Sequence, residues 1–512
     1  MSRGLGDVYK RQIHTFVGLA FLWMNTSCDS YLDKLPDNRA NLDSEDNITD
    51  LLVSAYPTVS ICMLGETSSD NIKDNGVNYG TLSQVVEEYY RWESSTQKSI
   101  DSPTHLWEGY YEAIAVANQA LEAIEKSDNA GELNAQRGEA LLCRAYSHFM
   151  LVNVFSQAYN EQTSDTDLGI PYVKERETIV SKNYDRGTVK SVYENIAQDI
   201  EEGIGLIDDD LYSVSKYHFN SKAANAFAAR FYLYYRKYDK VIEYADKVLG
   251  DSPVSLLRDY SSYPSLSSYF EVGNQYIKAE EGSNLLLQTA VSAYARMTGV
   301  YKSYRRYGHP IAKMLETLLS AGIWGNERSL KYFDKLFGTQ EYGLVFPKLI
   351  EYFEYTDKVA GIGQAHIVTT AFTTDELLLC RAEAFIYQKD YDRAVADIQA
   401  WCDTHASGTT VSRSAINQYY GSQATERTKK DLHPKFVIEN GEQLNFVNCI
   451  LHLRRIETVH EGLRWFDIKR YGIEVTHNIS GGNEDVLKVD DLRRAIQIPT
   501  DVIGAGLTPN PR

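Results

Sequence analysis

The chain has 512 residues, 43% of them hydrophobic and 24% charged, which is typical of a folded globular protein with a large core. Its formal net charge is −18, and an acidic surface repels phosphate backbones, so the charge argues against nucleic acid as a partner. Tyrosine stands out, with 37 copies. Its ring joins an apolar face to a hydroxyl, which suits surfaces that bind partly polar ligands, although it also serves as ordinary packing material.

The N-terminal residues predict that the protein is secreted. The apolar run IHTFVGLAFLWM, residues 13–24, follows Lys10 and Arg11 and is too short to span a bilayer. A short apolar run after a basic segment is typical of a secretory signal peptide. We therefore assign residues 1–27 to a signal peptide, of which the opening MSRGLGDVYKRQ resembles an extraneous stretch.

The apolar run ends at Thr26, Ser27 and Cys28, and small residues before a cysteine resemble a bacterial lipobox. In that motif the cysteine is acylated and becomes the mature N-terminus, so Cys28 is the predicted lipidation site. Asn25 stands where the motif usually has leucine, and a secreted protein without lipid is therefore the alternative. A lipid at Cys28 would anchor the protein to a membrane.

Apolar residues with helical spacing occur in several later segments of the chain. Apolar residues recur every three or four positions through residues 102–126, 142–152 and 189–200, which predicts three helices. Further along, Thr373 and Glu376 predict a capping box that opens the helical run DELLLCRAEAFIYQ.

Two internal similarities indicate a repeat. EALLCRAY at residues 139–146 matches ELLLCRAE at 376–383, and the segment FAARFYLYYRKYDKVIEYADKVL from Phe227 matches CRAEAFIYQKDYDRAVADIQAW from Cys380. A small residue, an aromatic residue, a turn and a second helix opened by tyrosine form a tetratricopeptide-like (TPR) pattern. Such helix pairs cannot bury their faces alone, so they stack.

The repeats lie far apart, so long insertions must interrupt the stack. We predict a TPR-like scaffold around residues 102–249, 374–402 and 451–473, with loop-rich insertions at 250–373 and 403–450. Loops on a rigid scaffold are where ligand contacts usually lie.

Four segments together resemble the SusD/RagB family of nutrient-binding outer-membrane lipoproteins, and the resemblance runs through residues 28–512. They are CDSYLDKLPDN from Cys28, EALLCRAYSHFMLVNVF from Glu139 with the later Gly169-Ile170-Pro171, LLLCRAEAFIYQKDYDRAVADI from Leu377, and RRIETVHEGLRWFDIKRYG from Arg454 with the terminal Asn510-Pro511-Arg512.

This resemblance implies a mainly α fold: one large SusD-like domain with four TPR-like helix pairs and an irregular, loop-rich ligand-binding half. It also implies a lipid-anchored protein on the surface of the outer membrane. Such a protein would pass oligosaccharides to a partner SusC-like TonB-dependent transporter and would not be an enzyme. A peptide-binding member of the same family, a surface glycoside hydrolase and a TPR adaptor that binds only proteins are the alternatives.

The series Glu457, Glu461, Arg464, Asp467 and Arg470 is spaced by three or four residues, so we predict successive neighbours on one helix surface. Carboxylates beside arginines could form an acid–base site. They could also form an ion-pair ladder that fixes the helix to the scaffold. The family resemblance assigns this segment to the TPR half, and we interpret the series as structural.

No metal site is predicted. His460-Glu461 lacks the second histidine of a metalloprotease motif, and the pair Cys402 and His405 supplies only two ligands. The loop Asp70–Gly76 offers oxygen ligands but misses EF-hand spacing, so a structural calcium ion there is the only cofactor considered.

A sugar site combines flat aromatic rings with amide and charged partners. The segment that contains Asn78, Tyr79, Tyr90, Arg91 and Trp92 has this mix. Members of the resembled family commonly place a ligand-contacting tryptophan just before the first TPR helix. We therefore predict a ligand contact at Trp92, with a packing role as the alternative.

The long insertion contains the second candidates for ligand contacts. These are Trp324 and the tyrosine cluster at residues 301–307, which includes Tyr304. Trp107 and Trp465 fall on scaffold helices and are predicted to lie in the core.

Overall fold

The computed structural model describes residues 44–176, 184–298, 305–339 and 343–512. The predicted signal peptide, the lipidation site Cys28 and Tyr304 lie outside these ranges. About 49% of the chain is helical, which confirms the predicted mainly α fold class.

Helices fill the first half of the described chain, and side-chain caps begin several of them. Ser102 accepts a hydrogen bond from the amide of His105, and Pro103 occupies the first helical position. The helices are α1 (Glu45–Leu52), α2 (Cys62–Thr67), α3 (Gln84–Tyr90), α4 (Pro103–Lys126), α5 (Asn134–Phe155), α6 (Val189–Gly203), α7 (Ser221–Tyr234) and α8 (Tyr238–Leu249).

The region 250–373, predicted as an insertion, carries short helices and most of the strands. Its elements are α9 (Tyr269–Tyr276), β2 (Asn284–Ala290), α10 (Ala295–Thr298), β3 (Tyr307–Gly308), α11 (Ile311–Met314), β4 (Phe337–Thr339), β5 (Gly343–Val345), β6 (Glu351–Asp357) and β7 (Ile362–Thr373). Strand β1 (Lys73–Asp74) lies earlier in the chain, between α2 and α3. Strands β2, β7 and β6 form an antiparallel sheet in that order, and β1 pairs with β3.

The last third returns to helices and ends with a hairpin. Its elements are α12 (Thr374–Tyr387), α13 (Tyr391–His405), α14 (Arg413–Gln418), α15 (Glu442–Glu457), α16 (Arg464–Tyr471), β8 (Val475–Ile479), β9 (Asn483–Leu487) and α17 (Thr500–Gly504). Helix α15 starts at Glu442, inside the predicted insertion 403–450, so the helical segment begins earlier than the predicted residue 451.

The predicted internal repeat is a repeat in three dimensions. The pairs α7–α8 and α12–α13 each turn at one residue, Arg236 or Lys389, and both residues have a φ of 61°. Matching backbone hydrogen bonds of 2.9 Å close the two turns, from Lys237 N to Tyr232 O and from Asp390 N to Phe385 O. The TPR character of these pairs stays a prediction.

Two arginines that the similarity between EALLCRAY and ELLLCRAE matches, Arg144 and Arg381, have the same structural role. Arg144 on α5 donates two hydrogen bonds of 2.7 Å to Asp199 on α6. Arg381 on α12 holds Asp397 on α13 with bonds of 3.0 and 2.7 Å. Each arginine thus ties a helix to the one that follows it, through a buried bidentate pair.

One continuous core cluster runs through residues 48–512, which form one compact unit, and Tyr269, Val345 and Ile350 make a small second cluster. Trp465 is buried, as predicted, and so is Trp107 apart from a small exposed part. Among the helices of the described ranges, none is both long and apolar enough to cross a membrane.

Candidate ligand-binding face

Strand pairing joins the two segments that the sequence singled out. Lys73 lies opposite Gly308 and Asp74 opposite Tyr307 in the β1–β3 ladder. Beyond the ladder, the Asn75 amide donates to the Arg306 carbonyl at 2.6 Å, and the Arg306 amide donates to the Gly80 carbonyl at 3.2 Å. We call the surface formed by residues 75–80, Glu87, Arg91 and Arg306 the candidate ligand-binding face.

The loop of this face projects its side chains into solvent. Val77 is 70% exposed and Tyr79 36% exposed, and Asn78 between them is also exposed. The loop turns at Gly76, whose φ of 107° is costly for any residue with a Cβ atom. Two of the predicted ligand-binding residues, Asn78 and Tyr79, therefore lie where a ligand can reach them.

Opposite charges lie next to the loop. Glu87 forms an ion pair with Arg91 at 3.1 Å and a looser one with Arg306 at 3.7 Å. Arg306 also reaches Asp74 at 3.4 Å. The side chains of Arg91 and Glu87 are about one-third exposed, so part of each side chain is open to a ligand, although the Arg91 Nε atom is buried.

Trp92 lies beneath this surface and is only 2% exposed. Its indole N–H donates to the Ser68 carbonyl at 2.9 Å, and its ring stacks on His477 at 4.4 Å. Tyr90 stacks on the other side of His477 at 4.0 Å and is fully buried. Burial lowers the pKa of His477 to about 4, which keeps this ring stack neutral. The position of Trp92 therefore fits the alternative role in packing, and Tyr90 also packs in the core.

Trp324 does not belong to this face. It is 4% exposed, and its ring packs beside Trp401 at 5.8 Å and His452 at 5.3 Å. A Cβ atom on Gly322 would come within 2.4 Å of the Trp324 ring, so glycine permits this close packing. Trp324 has no open ring face for stacking on a sugar in this structure.

The space behind the loop is too small for a sugar. A cavity of about 20 Å³ lies between Asn75, Arg305, His309 and His460. That volume suits a single water molecule at most. Ligand binding at this face would therefore take place on its surface.

The carboxylates of the Asp70–Gly76 loop bind arginines. Both oxygens of Asp70 accept hydrogen bonds of 2.9 Å from Arg464. Burial alone would raise the pKa of Asp70, but Arg455 and Arg464 hold it well below its ordinary value. These ion pairs disfavour the calcium site considered above. In the described ranges, no group of three or more His, Cys, Asp or Glu side chains could hold a metal ion.

The predicted single-helix ladder is wrong in its geometry. Helix α15 ends at Glu457 and α16 begins at Arg464, so the series does not run along one helix. One predicted neighbour contact is present on α16, between Asp467 and Arg470 at 2.8 Å. The members otherwise bind other parts of the fold. These pairs are Glu457 with His405 at 3.0 Å, Glu461 with Lys348 at 2.9 Å, Arg464 with Asp70 at 2.9 Å, Asp467 with Arg454 at 3.0 Å, and Arg470 with Glu383.

Their structural role follows from burial. Asp467 and Arg454 have no exposed side-chain surface, and a buried charge must be paired because its desolvation costs several kcal/mol. Sequence spacing found these residues correctly but could not identify their partners, which come from distant segments.

Sequence reasoning missed Glu87 and Arg306 as parts of the face. The i, i+4 spacing of Glu87 and Arg91 could have indicated their pair. Arg306 reaches them only because β3 pairs with β1, and no local pattern predicts that pairing. As assembled, the face offers one exposed ring, amide groups and charged hydrogen-bonding groups, which can bind a partly polar ligand.

The comparisons with known proteins agree with this architecture. The family model described as starch-binding and associating with the outer membrane matches residues 30–233, and the SusD family model matches residues 300–493. The chain belongs to the SusD family. The SusD-like protein P2 of Formosa agariphila is 24% identical over 405 residues, which are 74% of this chain and 73% of that protein.

Solved SusD structures share the fold. A SusD superfamily protein from Bacteroides thetaiotaomicron VPI-5482 matches with a TM-score of 0.60 at 18% identity, covering 91% of this chain and 99% of that chain. A SusD-like carbohydrate binding protein from Bacteroides vulgatus ATCC 8482 matches with a TM-score of 0.58 at 16% identity, covering 86% and 88%. Members of the SusD family are binding proteins associated with the outer membrane.

Proposed function

We propose that this SusD family protein is a lipid-anchored, cell-surface binding protein for oligosaccharides. It captures its ligand at the candidate ligand-binding face and delivers it to a SusC-like TonB-dependent transporter, without catalysing a reaction. The lipid is attached at Cys28. Tyr79 and Asn78 contact the ligand directly.

One observation carries the assignment of the face. The exposed Tyr79 and Asn78 lie beside the half-buried charges of Glu87, Arg91 and Arg306. Sugar rings stack their C–H faces on flat aromatic rings, while sugar hydroxyls bind amide and charged groups. The surface is open and excludes little water, so we expect modest affinity.

Isothermal titration against a glycan panel and a peptide panel tests this proposal. Tyr79→Ala should weaken glycan binding about tenfold, because it removes a stacking contact worth about 1.4 kcal/mol. Tyr217→Ala is the matched control, since Tyr217 is 39% exposed and belongs to another segment. Binding of peptides alone would overturn the oligosaccharide assignment, and an equal loss in the control would overturn the face.

Three further measurements test the lipid anchor, the partner transporter and the absence of catalysis. Cys28→Ala should abolish incorporation of a labelled fatty acid and release the protein from membranes. A barrel transporter should co-purify with the native lipoprotein. Release of products from a glycan by the purified protein, abolished by one carboxylate substitution, would establish a hydrolase instead.

A further inference from the structure

A second cavity lies away from the candidate ligand-binding face. It has a volume of about 560 Å³, within the range of small-molecule sites, and opens between helix α4, the segment 171–175 and residues 502–507 near the C-terminus. We call it the α4 groove.

Aromatic and aliphatic side chains form its walls. Trp107 and Tyr111 lie one turn apart on α4 with ring centroids 4.9 Å apart, and Leu507 faces them from the C-terminal segment. The Tyr111 hydroxyl donates to the Pro171 carbonyl at 2.8 Å, which holds the ring against the segment 171–175. These walls suit the apolar body of a ligand.

The groove carries negative charge, and none of its described lining residues is basic. Glu108, Glu112 and Glu175 line it and are exposed, whereas no lysine or arginine of the described chain lines it. No ion pair joins any of these three glutamates to a described residue. Among the basic side chains of adjoining segments, Lys98 pairs with Asp501 and Arg176 lies 3.8 Å from Glu122. Lys98 and His105 also lie close enough to Glu108 to interact with its charge, but neither forms an ion pair with it.

We infer that the α4 groove binds an amphiphilic cation, a molecule with an apolar or aromatic body that carries an ammonium or guanidinium group. The body packs between Trp107, Tyr111 and Leu507, and the cation pairs with Glu108 and Glu112. Aromatic faces add to the attraction because they favour cations within about 6 Å. A neutral glycan would leave these carboxylates without a charged partner.

Titration of the full-length protein with N-acetyl-phenylalanyl-arginine amide tests this inference. The matched probe is N-acetyl-phenylalanyl-citrulline amide, which keeps nearly the same shape but carries no positive charge. The arginine probe should bind at least tenfold more tightly, and added salt should narrow the difference because it screens the exposed carboxylates. Phenethylamine, a non-peptide cation, distinguishes a general cation site from a peptide site.

Substitutions locate the site. The double variant Glu108→Gln, Glu112→Gln should weaken the arginine probe tenfold or more without changing the melting temperature. Glu125→Gln is the control, because Glu125 is an exposed glutamate of the same helix that does not line the groove. Its effect should stay within twofold.

Three outcomes would overturn the inference: no binding of the arginine probe at millimolar concentration, equal binding of the citrulline probe, or an equal loss in the control variant. Glycan binding at Tyr79 is measured separately and should be the same in the double variant. Failure of this inference is therefore distinguishable from failure of the proposed function.

Discussion

Residue type and exposure are separate properties in this protein, and Trp92 illustrates the difference. An aromatic residue in a polar, turn-rich segment suggests a ligand contact, yet Trp92 is buried and follows α3 directly with a left-handed φ of 51°. Its ring then stacks on His477, which is 385 positions later in the sequence. Tyr79, an equally plausible residue on the same segment, stays exposed because the loop turns at Gly76.

Trp92→Ala should lower the free energy of unfolding by about 3–5 kcal/mol, because it removes a large buried ring and leaves a cavity. It also leaves the Ser68 carbonyl without the indole donor. Urea unfolding measures the change. Tyr79→Ala serves as the exposed control and should change stability by no more than about 0.5 kcal/mol. Similar stability of the two variants would contradict the buried position of Trp92.

Asp70→Asn should cost about 3–5 kcal/mol at neutral pH, because it leaves buried Arg464 without its carboxylate. The pKa of Asp70 is lower in the folded than in the unfolded protein. Its stabilisation is therefore complete above the unfolded pKa of about 3.9 and is lost as pH falls through the lower folded pKa. The difference between wild type and variant should be equal at pH 7 and 5 and shrink only in stronger acid.

Urea midpoints at each pH provide the measurement. Glu87→Gln removes a carboxylate from a partly exposed ion pair and should have little effect at any of these pH values. A difference between wild type and Asp70→Asn that already falls between pH 7 and pH 5 would show that Arg455 and Arg464 do not hold Asp70 ionised.

At the level of elements, local sequence was a good guide to helices and a poor guide to strands. The capping residue Thr373 accepts a hydrogen bond from the Glu376 amide, as predicted, but the Glu376 side chain pairs with Arg230 rather than completing the box. Helix signals are local, since each bond joins residues four apart. The ladder β1–β3 joins segments more than 200 residues apart, so nothing near either strand indicates it.

The repeated helix pairs predict a repeated energetic role for their arginines. Arg144→Lys and Arg381→Lys should each lower the free energy of unfolding by about 1–3 kcal/mol, because lysine cannot make the two parallel hydrogen bonds to Asp199 or Asp397. Denaturant titration of the two variants checks this. Arg137→Lys is the control, since Arg137 also links α5 to α6, through Glu202, but both side chains are exposed. An equal loss of stability at all three positions would show that the two buried arginine–aspartate pairs stabilise the fold no more than the exposed pair does.

Over the whole molecule, buried polar contacts tie distant parts of the chain together. Arg464 binds Asp70 across 394 positions, and Lys469 donates to the Asn153 carbonyl across 316 positions. The Asn510 side chain donates to the Phe155 carbonyl at 2.8 Å, which attaches the C-terminal segment to the end of α5. Lys348, in the strand-rich region 250–373, pairs with Glu461 at 2.9 Å, so that region is joined to the helices as well.

This connectivity predicts one cooperative unfolding transition for residues 48–512. Trp92→Ala and Arg381→Lys lie in different regions and share no partner, yet both should shift the same transition, with additive effects. Tryptophan fluorescence and far-ultraviolet circular dichroism should give coincident urea curves for each variant. Two separated transitions, each sensitive to only one of the substitutions, would contradict a single unit.

Helix periodicity and short motifs are local properties, so the sequence was enough to predict the helical class, the repeated helix pair with its aromatic residue and turn, and the family. The folded structure was needed to show which side chains reach solvent and which charges meet. Trp92 and Trp324 lie in the core and Tyr79 is exposed. The members of the series from Glu457 to Arg470 pair with residues of other segments, apart from the contact between Asp467 and Arg470. Burial and charge pairing depend on contacts between residues that are hundreds of positions apart, and these contacts cannot be predicted from the spacing within one segment.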